Sequence, residues 1–214
     1  MSTQPWNANI HYHSLLVEAM PRDARRVLDV GCGDGMLSAH LIQSGIPHVV
    51  GLDVDGKVLE RAKARHAGVP VDWLQGDLFE VPLEAGSFDA VVSVAALHHV
   101  PAEKALARFA ELVRPGGVVA VVGLAANDWW DIPLAAIGLS CRLILGFIRG
   151  HWIHTASLVW PPPETYRDMK RIANRVLPGV RYRRHLLSRY SLIWRKPAMS
   201  RMVPLRGFEP RLQG

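Results

Sequence analysis

A chain of 214 residues is long enough to bury one substantial core and too short for two full enzymes. Apolar residues make up 49% and charged residues 21%, an ordinary balance for a globular domain and one that excludes a disordered or fibrous chain. The net charge of +6 conceals an asymmetry: residues 1–141 carry 10 Lys/Arg against 16 Asp/Glu, and residues 142–214 carry 15 against 3. A basic half of this kind attracts nucleic acid, an anionic membrane face or an acidic substrate, or is simply a set of solvated faces. The two cysteines, Cys32 and Cys141, make neither a disulfide framework nor a zinc motif, so no metal is expected. The first 13 residues are polar and aromatic, without a basic start and an apolar run, so a reducing cytoplasm is the expected compartment.

In chain order, residues 9–20 predict an N-terminal cap helix, amphipathic from His11 to Met20. Val27 to Val30 reads as a buried strand, Met36 to Ser44 as a helix, Val49 to Asp53 as a second strand and Lys57 to His66 as a helix. Val71 to Leu74 is a third strand and Phe88 to Ala95 a fourth. Ala102 to Val113 follows as a helix, Arg114 to Gly117 as a turn and Val118 to Val122 as a fifth strand. Continuous Val/Leu runs separated by helices imply a parallel sheet covered on both faces. After Ala125 the pattern breaks into a Trp- and Leu-rich segment, and residues 125–160 are expected to roof a substrate. Its apolar run from Ile132 to Ile148 is too short to span a bilayer, though with the basic residues around it a membrane surface would suit it. Glu164 to Val176 predicts a helix, and Arg181 to Leu187 with Tyr190 to Arg195 a closing hairpin. Residues 1–198 are therefore expected to form one α/β domain, a seven-stranded, mostly parallel sheet with helices on both faces. Residues 199–214 contain no convincing element and are expected to be a disordered tail; Arg206 to Arg211 reads like a frame translated through the T-arm of a transfer RNA gene.

The chemistry is concentrated where the first strand meets the first crossover, in Asp29-Val30-Gly31-Cys32-Gly33-Asp34-Gly35. Three alternating glycines let the backbone turn sharply and press against a ligand. The spacing is GxGxG, not the GxGxxG of dinucleotide sites, and Asp29 suits a cationic amino group better than a pyrophosphate. Asp53 ends the second strand, Gly76-Asp77-Leu78 follows the third, Ala95-Ala96-Leu97-His98-His99 follows the fourth, and Leu112 to Gly117 precedes the fifth.

In this order the motifs resemble those of the class I S-adenosylmethionine-dependent methyltransferases, over roughly Val27 to Val122. The resemblance implies a Rossmann-like fold with S-adenosylmethionine as cofactor. It implies that Asp29 and the loop glycines Gly31, Gly33 and Gly35 bind the methionine end, that Asp53 takes the ribose hydroxyls, and that Asp77 with the Leu78 amide takes the adenine. Cys32, Val54 and Ala95 complete the expected cofactor-binding set. A carboxylate with two acceptor oxygens suits a diol. Asp34 and Asp55 are expected to be solvated or capping. His98 and His99 are the candidate general bases, at the carboxyl edge of the sheet where such folds bind ligands. The fourth-strand sequence lacks the Asn/Asp-Pro-Pro-aromatic signature that family members use for exocyclic-amine methylation, which weighs against amine methylation on nucleic acid and leaves oxygen, carbon or other nitrogen acceptors open. The expected activity is methyl transfer to a small, partly apolar acceptor beneath Trp129, Trp130, Trp152 and Trp160. The alternatives are an RNA methyltransferase using Arg181, Arg183, Arg184, Arg189 and Arg195 along one hairpin face, and a non-catalytic S-adenosylmethionine-binding protein.

Overall fold

The computed structural model describes residues 6–131, 137–141, 145 and 161–198. Seven strands form one sheet: β1 (Arg26–Val30), β2 (His48–Asp53), β3 (Val71–Gln75), β4 (Phe88–Val94), β5 (Val113–Gly123), β6 (Arg181–His185) and β7 (Arg189–Arg195), in the order β3-β2-β1-β4-β5-β7-β6. β1 through β5 pair in parallel, and β7 joins β5 antiparallel with β6 outside it. The expected Rossmann-like sheet with a closing hairpin is thus the observed one.

Helices α1 (His13–Ala19), α2 (Met36–Gln43), α3 (Gly56–Arg65), α4 (Ala102–Leu112) and α5 (Tyr166–Val176) pack around it. Alternation along the strands divides the core into two layers. Val27, Val49, Ala90, Val92, Val118 and Ala120 face α1 and α2, with Leu16, Leu37 and Leu41. Leu28, Val50, Leu52, Val91, Val119 and Val121 face α4 and α5, with Leu106, Phe109, Met169 and Ala173. Burying each of the Val, Leu, Phe and Met side chains among these contributes roughly 1.5–3 kcal/mol, which is why both faces of every central strand are apolar.

Three local expectations are corrected. The cap helix is split, a 3-10 turn at Ile10–Tyr12 running into α1. Arg114 to Gly117 is not a turn outside the sheet: β5 already begins at Val113, and a register shift against β4 absorbs the Pro-Gly-Gly stretch. Lys196 holds it there, its carbonyl accepting from the Gly116 amide and its amide donating to the Gly117 carbonyl, both at 2.9 Å. Thirdly, register puts Arg181, Arg183, Arg189 and Arg195 on one face of the hairpin and Arg184 on the other, and the four differ in exposure. Arg181 and Arg183 are exposed, Arg184 is half-buried against Asp131, and Arg189 is buried. Most of the 125–160 roof and the whole 199–214 tail lie outside the described residues. Among the described residues, no helix is long and apolar enough to cross a membrane.

Asp89, from the fourth-strand motif, ties the amino edge of the sheet together. Its Oδ2 accepts from the Arg25 and Arg26 amides at 2.7 and 2.8 Å, and Oδ1 pairs with Arg114. Burial alone would raise this carboxyl; the Arg114 side chain and the two amides outweigh it and hold the pKa below the usual range. Asp89→Asn is expected to destabilise the fold by about 1–3 kcal/mol at neutral pH, since Arg114 loses its anionic partner. A depressed carboxyl stabilises above its unfolded pKa and loses that contribution as pH falls through the folded one. Chemical denaturation should therefore show the wild-type advantage shrinking below about pH 4.

Candidate active site

The sheet order reverses between β1 and β4, and in open α/β sheets the crevice at the carboxyl ends beside such a switch is the place for a ligand. Ser93 fastens the two strands there, its hydroxyl donating to the Val30 carbonyl at 2.8 Å. From Val30 the chain enters the glycine loop. The Gly31 and Cys32 amides donate to the Leu52 carbonyl at 2.8 and 3.1 Å, which pins the loop to the end of β2. Gly31 has a φ of 68°, and a Cβ at this position would collide with the methyl of Ala96. Gly33, with a φ of 53°, has no heavy atom within 4 Å of where its Cβ would point. Its amide donates to Asp53 Oδ2 at 2.9 Å.

Loop, strand ends and N-terminal segment enclose a cavity of about 280 Å³. One water needs only ~15 Å³, so this is a space for a small molecule. Asp29, Gly31, Cys32, Gly33, Asp53, Val54, Asp77, Leu78, Ala95 and His99 all line it. Gly35 and His98 do not: Gly35 starts α2 with the Trp73 ring where a Cβ would stand, and His98 lies behind His99, ring centroids 4.1 Å apart.

Each carboxylate is positioned by its own neighbours. Asp29 is buried and accepts from the Ser38 hydroxyl at 2.7 Å. Burial, and then the nearby charge of Asp53, push its pKa up to about 7 against the opposing Ser38 hydrogen bonds. Asp53 accepts the Gly33 amide on Oδ2 and the Asp55 amide on Oδ1 at 3.0 Å, so each oxygen keeps a second lone pair. Asp77 accepts the Phe79 amide on Oδ1 at 2.7 Å, which fixes the turn after β3 and leaves Leu78 buried at the cavity wall. Ala95 is held at a φ of 53°, a strained conformation for a side chain with Cβ, by its amide donating to the Val122 carbonyl at 2.8 Å.

The other assignments separate. Cys32 is buried, and burial followed by the Asp29 and Asp53 charges raises its thiol pKa, so it remains an unreactive thiol. Asp55 caps α3, accepting from the Lys57 and Val58 amides. Asp34, expected to be solvated or capping, is buried against the cavity and pairs with Arg61 at 3.3 Å. The imidazoles of His98 and His99 are both shifted down, chiefly by burial, His98 to about 4.

Sequence reasoning missed how the N-terminal segment is fastened over the cavity. Asn9, Ile10 and His13 line it. Asn7 Oδ1 accepts from the Asn9 and Ile10 amides, both at 2.9 Å, which shapes the turn. Arg189, at the start of β7, then grips Asn9 Oδ1 with Nε at 3.1 Å and Nη2 at 2.9 Å. An Asn pair ahead of a helix is a readable capping signal, but nothing local to Arg189 announces a partner so far away in the chain.

Comparison with known proteins gives the same assignment. Residues 27–117 match a methyltransferase domain family. The chain is 43% identical over 200 residues to an uncharacterized methyltransferase of Mycobacterium tuberculosis, covering 91% of this chain and 98% of that one. It is 30% identical over 143 residues to the phthiotriol/phenolphthiotriol dimycocerosates methyltransferase of the same species, covering 64% of this chain and 53% of that one. The crystal structure of an S-adenosylmethionine-dependent methyltransferase from Aquifex aeolicus superposes with a TM-score of 0.60 at 16% identity, covering 85% of this chain and 87% of that one. With the glycine loop and carboxylates on one cavity at the sheet's switch point, the chain belongs to the class I S-adenosylmethionine-dependent methyltransferases, a family of enzymes whose fold implies that cofactor.

Proposed function

We propose that this enzyme transfers the methyl group of S-adenosylmethionine to a small, partly apolar acceptor, within one domain over residues 1–198 whose 125–160 segment roofs the acceptor. The observation that carries the reading is the convergence of Asp29, Asp53 and Asp77 with the bare backbone of Gly31 and Gly33 on one cavity. The donor set fits the cofactor's groups in order. Asp29 would take the ammonium, the spare lone pairs of Asp53 the ribose diol, and Asp77 with Leu78 the adenine. Bound there, S-adenosylmethionine supplies an activated methyl on a sulfonium whose leaving group departs neutral.

The chain's own task is then mostly alignment, which can supply much of the acceleration of such a displacement. The 31–35 loop and the Arg189-held N-terminal segment would enclose the donor and exclude water. His99, neutral at pH 7 because burial lowers its pKa, lines the cavity and would accept a proton from an acceptor that must lose one. The described part of the roof presents exposed Trp129, Ile137 and Leu139, and Gly138 lies against the backbone of exposed Leu186, which supports an acceptor with an apolar portion. The name of the relative that is 30% identical contains a triol, which favours screening hydroxylated compounds first. The test is incubation with S-adenosylmethionine and a panel of such compounds while following S-adenosylhomocysteine release. Turnover is expected for a subset; release with none of them, from protein that binds the cofactor, would contradict the reading.

Asp29 adds a pH signature. With its pKa near 7 in the empty protein, the carboxyl is protonated below that pH and must ionise to meet an ammonium group. Affinity for S-adenosylhomocysteine should rise with pH up to about 7, by up to about tenfold per unit, and level off above. The same raised pKa means the empty fold binds more protons than the unfolded chain, so its stability falls between about pH 4 and 7. In Asp29→Asn, calorimetric affinity should be weaker and flat with pH; a flat wild-type profile would remove Asp29 from the ammonium site.

A further inference from the structure

Among the described residues, three buried side chains have every polar atom without a hydrogen-bond partner, namely Trp6, His98 and Tyr166, and the last two concern the far end of the site. His98 is 5% exposed with Nδ1 and Nε2 both unpartnered, and Tyr166 is 4% exposed with an unpartnered hydroxyl. Buried polar atoms are nearly always paired, and those that are not mark a strain, a chemistry or a ligand. Strand register and a shared influence of Arg189 put His98 and Tyr166 at the same end of the sheet. His98 packs on His99, which lines the cofactor cavity. Tyr166 opens α5, packs edge-on against Tyr190 at 6.3 Å and carries the Arg184 guanidinium 4.0 Å over its ring. Tyr190 pairs with Gly123 at the carboxyl end of β5, whose parallel neighbour β4 leads into His98. The charge of buried Arg189 reaches Tyr12, His98 and Tyr166 alike.

We propose that His98 and Tyr166 are the polar end of the acceptor site and hold a hydroxyl group of the acceptor, one layer beyond His99 from the methyl donor. This rests on the cofactor reading of the cavity lined by the 31–35 loop. Burial, then His99 and Arg189, keep the His98 imidazole neutral at pH 7, with one nitrogen donating and the other accepting. The Tyr166 hydroxyl likewise donates and accepts. A hydroxyl complements both partners. A carboxylate has no proton for the bare imidazole nitrogen, and an ammonium would be repelled by the Arg189 charge that already acts on His98. The role is recognition, and it differs from that of His99 at the cavity wall.

The test uses the full chain, first shown by calorimetry to bind S-adenosylhomocysteine, then titrated in that complex with 4-hexylphenol and with its methyl ether, 4-hexylanisole. The phenol is expected to bind at least about fivefold more tightly than the ether. Tyr166→Phe and His98→Leu should each weaken the phenol by about five- to tenfold and leave the ether and S-adenosylhomocysteine unchanged. Because neither group has a structural partner, the empty Tyr166→Phe protein should melt no lower than wild type. Equal affinity for phenol and ether, no binding of either, or a Tm loss beyond about 4 °C in Tyr166→Phe would overturn the proposal. Failure to bind S-adenosylhomocysteine would strike at the cofactor reading itself and would take this inference with it.

Discussion

Gly31→Ala is expected to lower the stability of the empty protein by about 2–5 kcal/mol and to remove most of its cofactor affinity. Two effects add here. The φ of 68° is costly for any residue with a Cβ, and the new methyl would have to enter space already taken by the methyl of Ala96. Left-handed strain contributes roughly 1–2 kcal/mol and overpacking a further 1–3. For a chain of this size the Tm should fall on the order of 10 °C. Ala96 follows the strained Ala95 at the end of β4, so relief by backbone movement would disturb two walls of the cavity together. Ala96→Gly removes the collision and should recover the overpacking portion alone. An unchanged Tm in Gly31→Ala would mean that the loop does not approach β4 as closely as described.

Asp53→Ala carries the second large effect. Losing the hydrogen bonds proposed for the ribose should weaken S-adenosylhomocysteine by about 1–3 kcal/mol, roughly five- to 150-fold. The carboxylate also holds the Gly33 and Asp55 amides, so the loop would lose one of its links to the end of β2 and keep those from Gly31 and Cys32 to the Leu52 carbonyl. Asp53→Asn separates the two roles. Its single carbonyl oxygen can keep one amide partner, while its NH2 group cannot accept from the diol. Asn is therefore expected to restore part of the stability and little of the affinity. Wild-type affinity in either variant would remove Asp53 from the ribose.

What the sequence made legible follows from the kind of signal each element carries. β1, β2 and β4 are buried on both faces, so they read as unbroken apolar runs, and the glycine loop sits directly after the first of them. Asp29, Asp53 and Asp77 could be placed because each stands at a strand end, where a parallel sheet leaves only one crevice to face. β5 was misread at its start because Pro-Gly-Gly is turn chemistry, which here yields to pairing with Lys196 across the sheet. Asp34 was misread because its partner Arg61 is on the next crossover helix. The two histidines could not be ranked from sequence. The short 3-10 turn at Leu97–His99 turns one towards the cavity and the other behind it, and no periodicity announces such a turn. The grip of Arg189 on Asn9 depends wholly on the closed fold.

Crystallising the chain with S-adenosylhomocysteine tests the cofactor assignment most directly. The predicted result is the nucleoside lying across the 31–35 loop, ribose hydroxyls on Asp53, adenine beside Asp77 and Leu78, and the amino group towards Asp29. A crevice that stays empty at saturating ligand, or that takes a dinucleotide in its place, would contradict it.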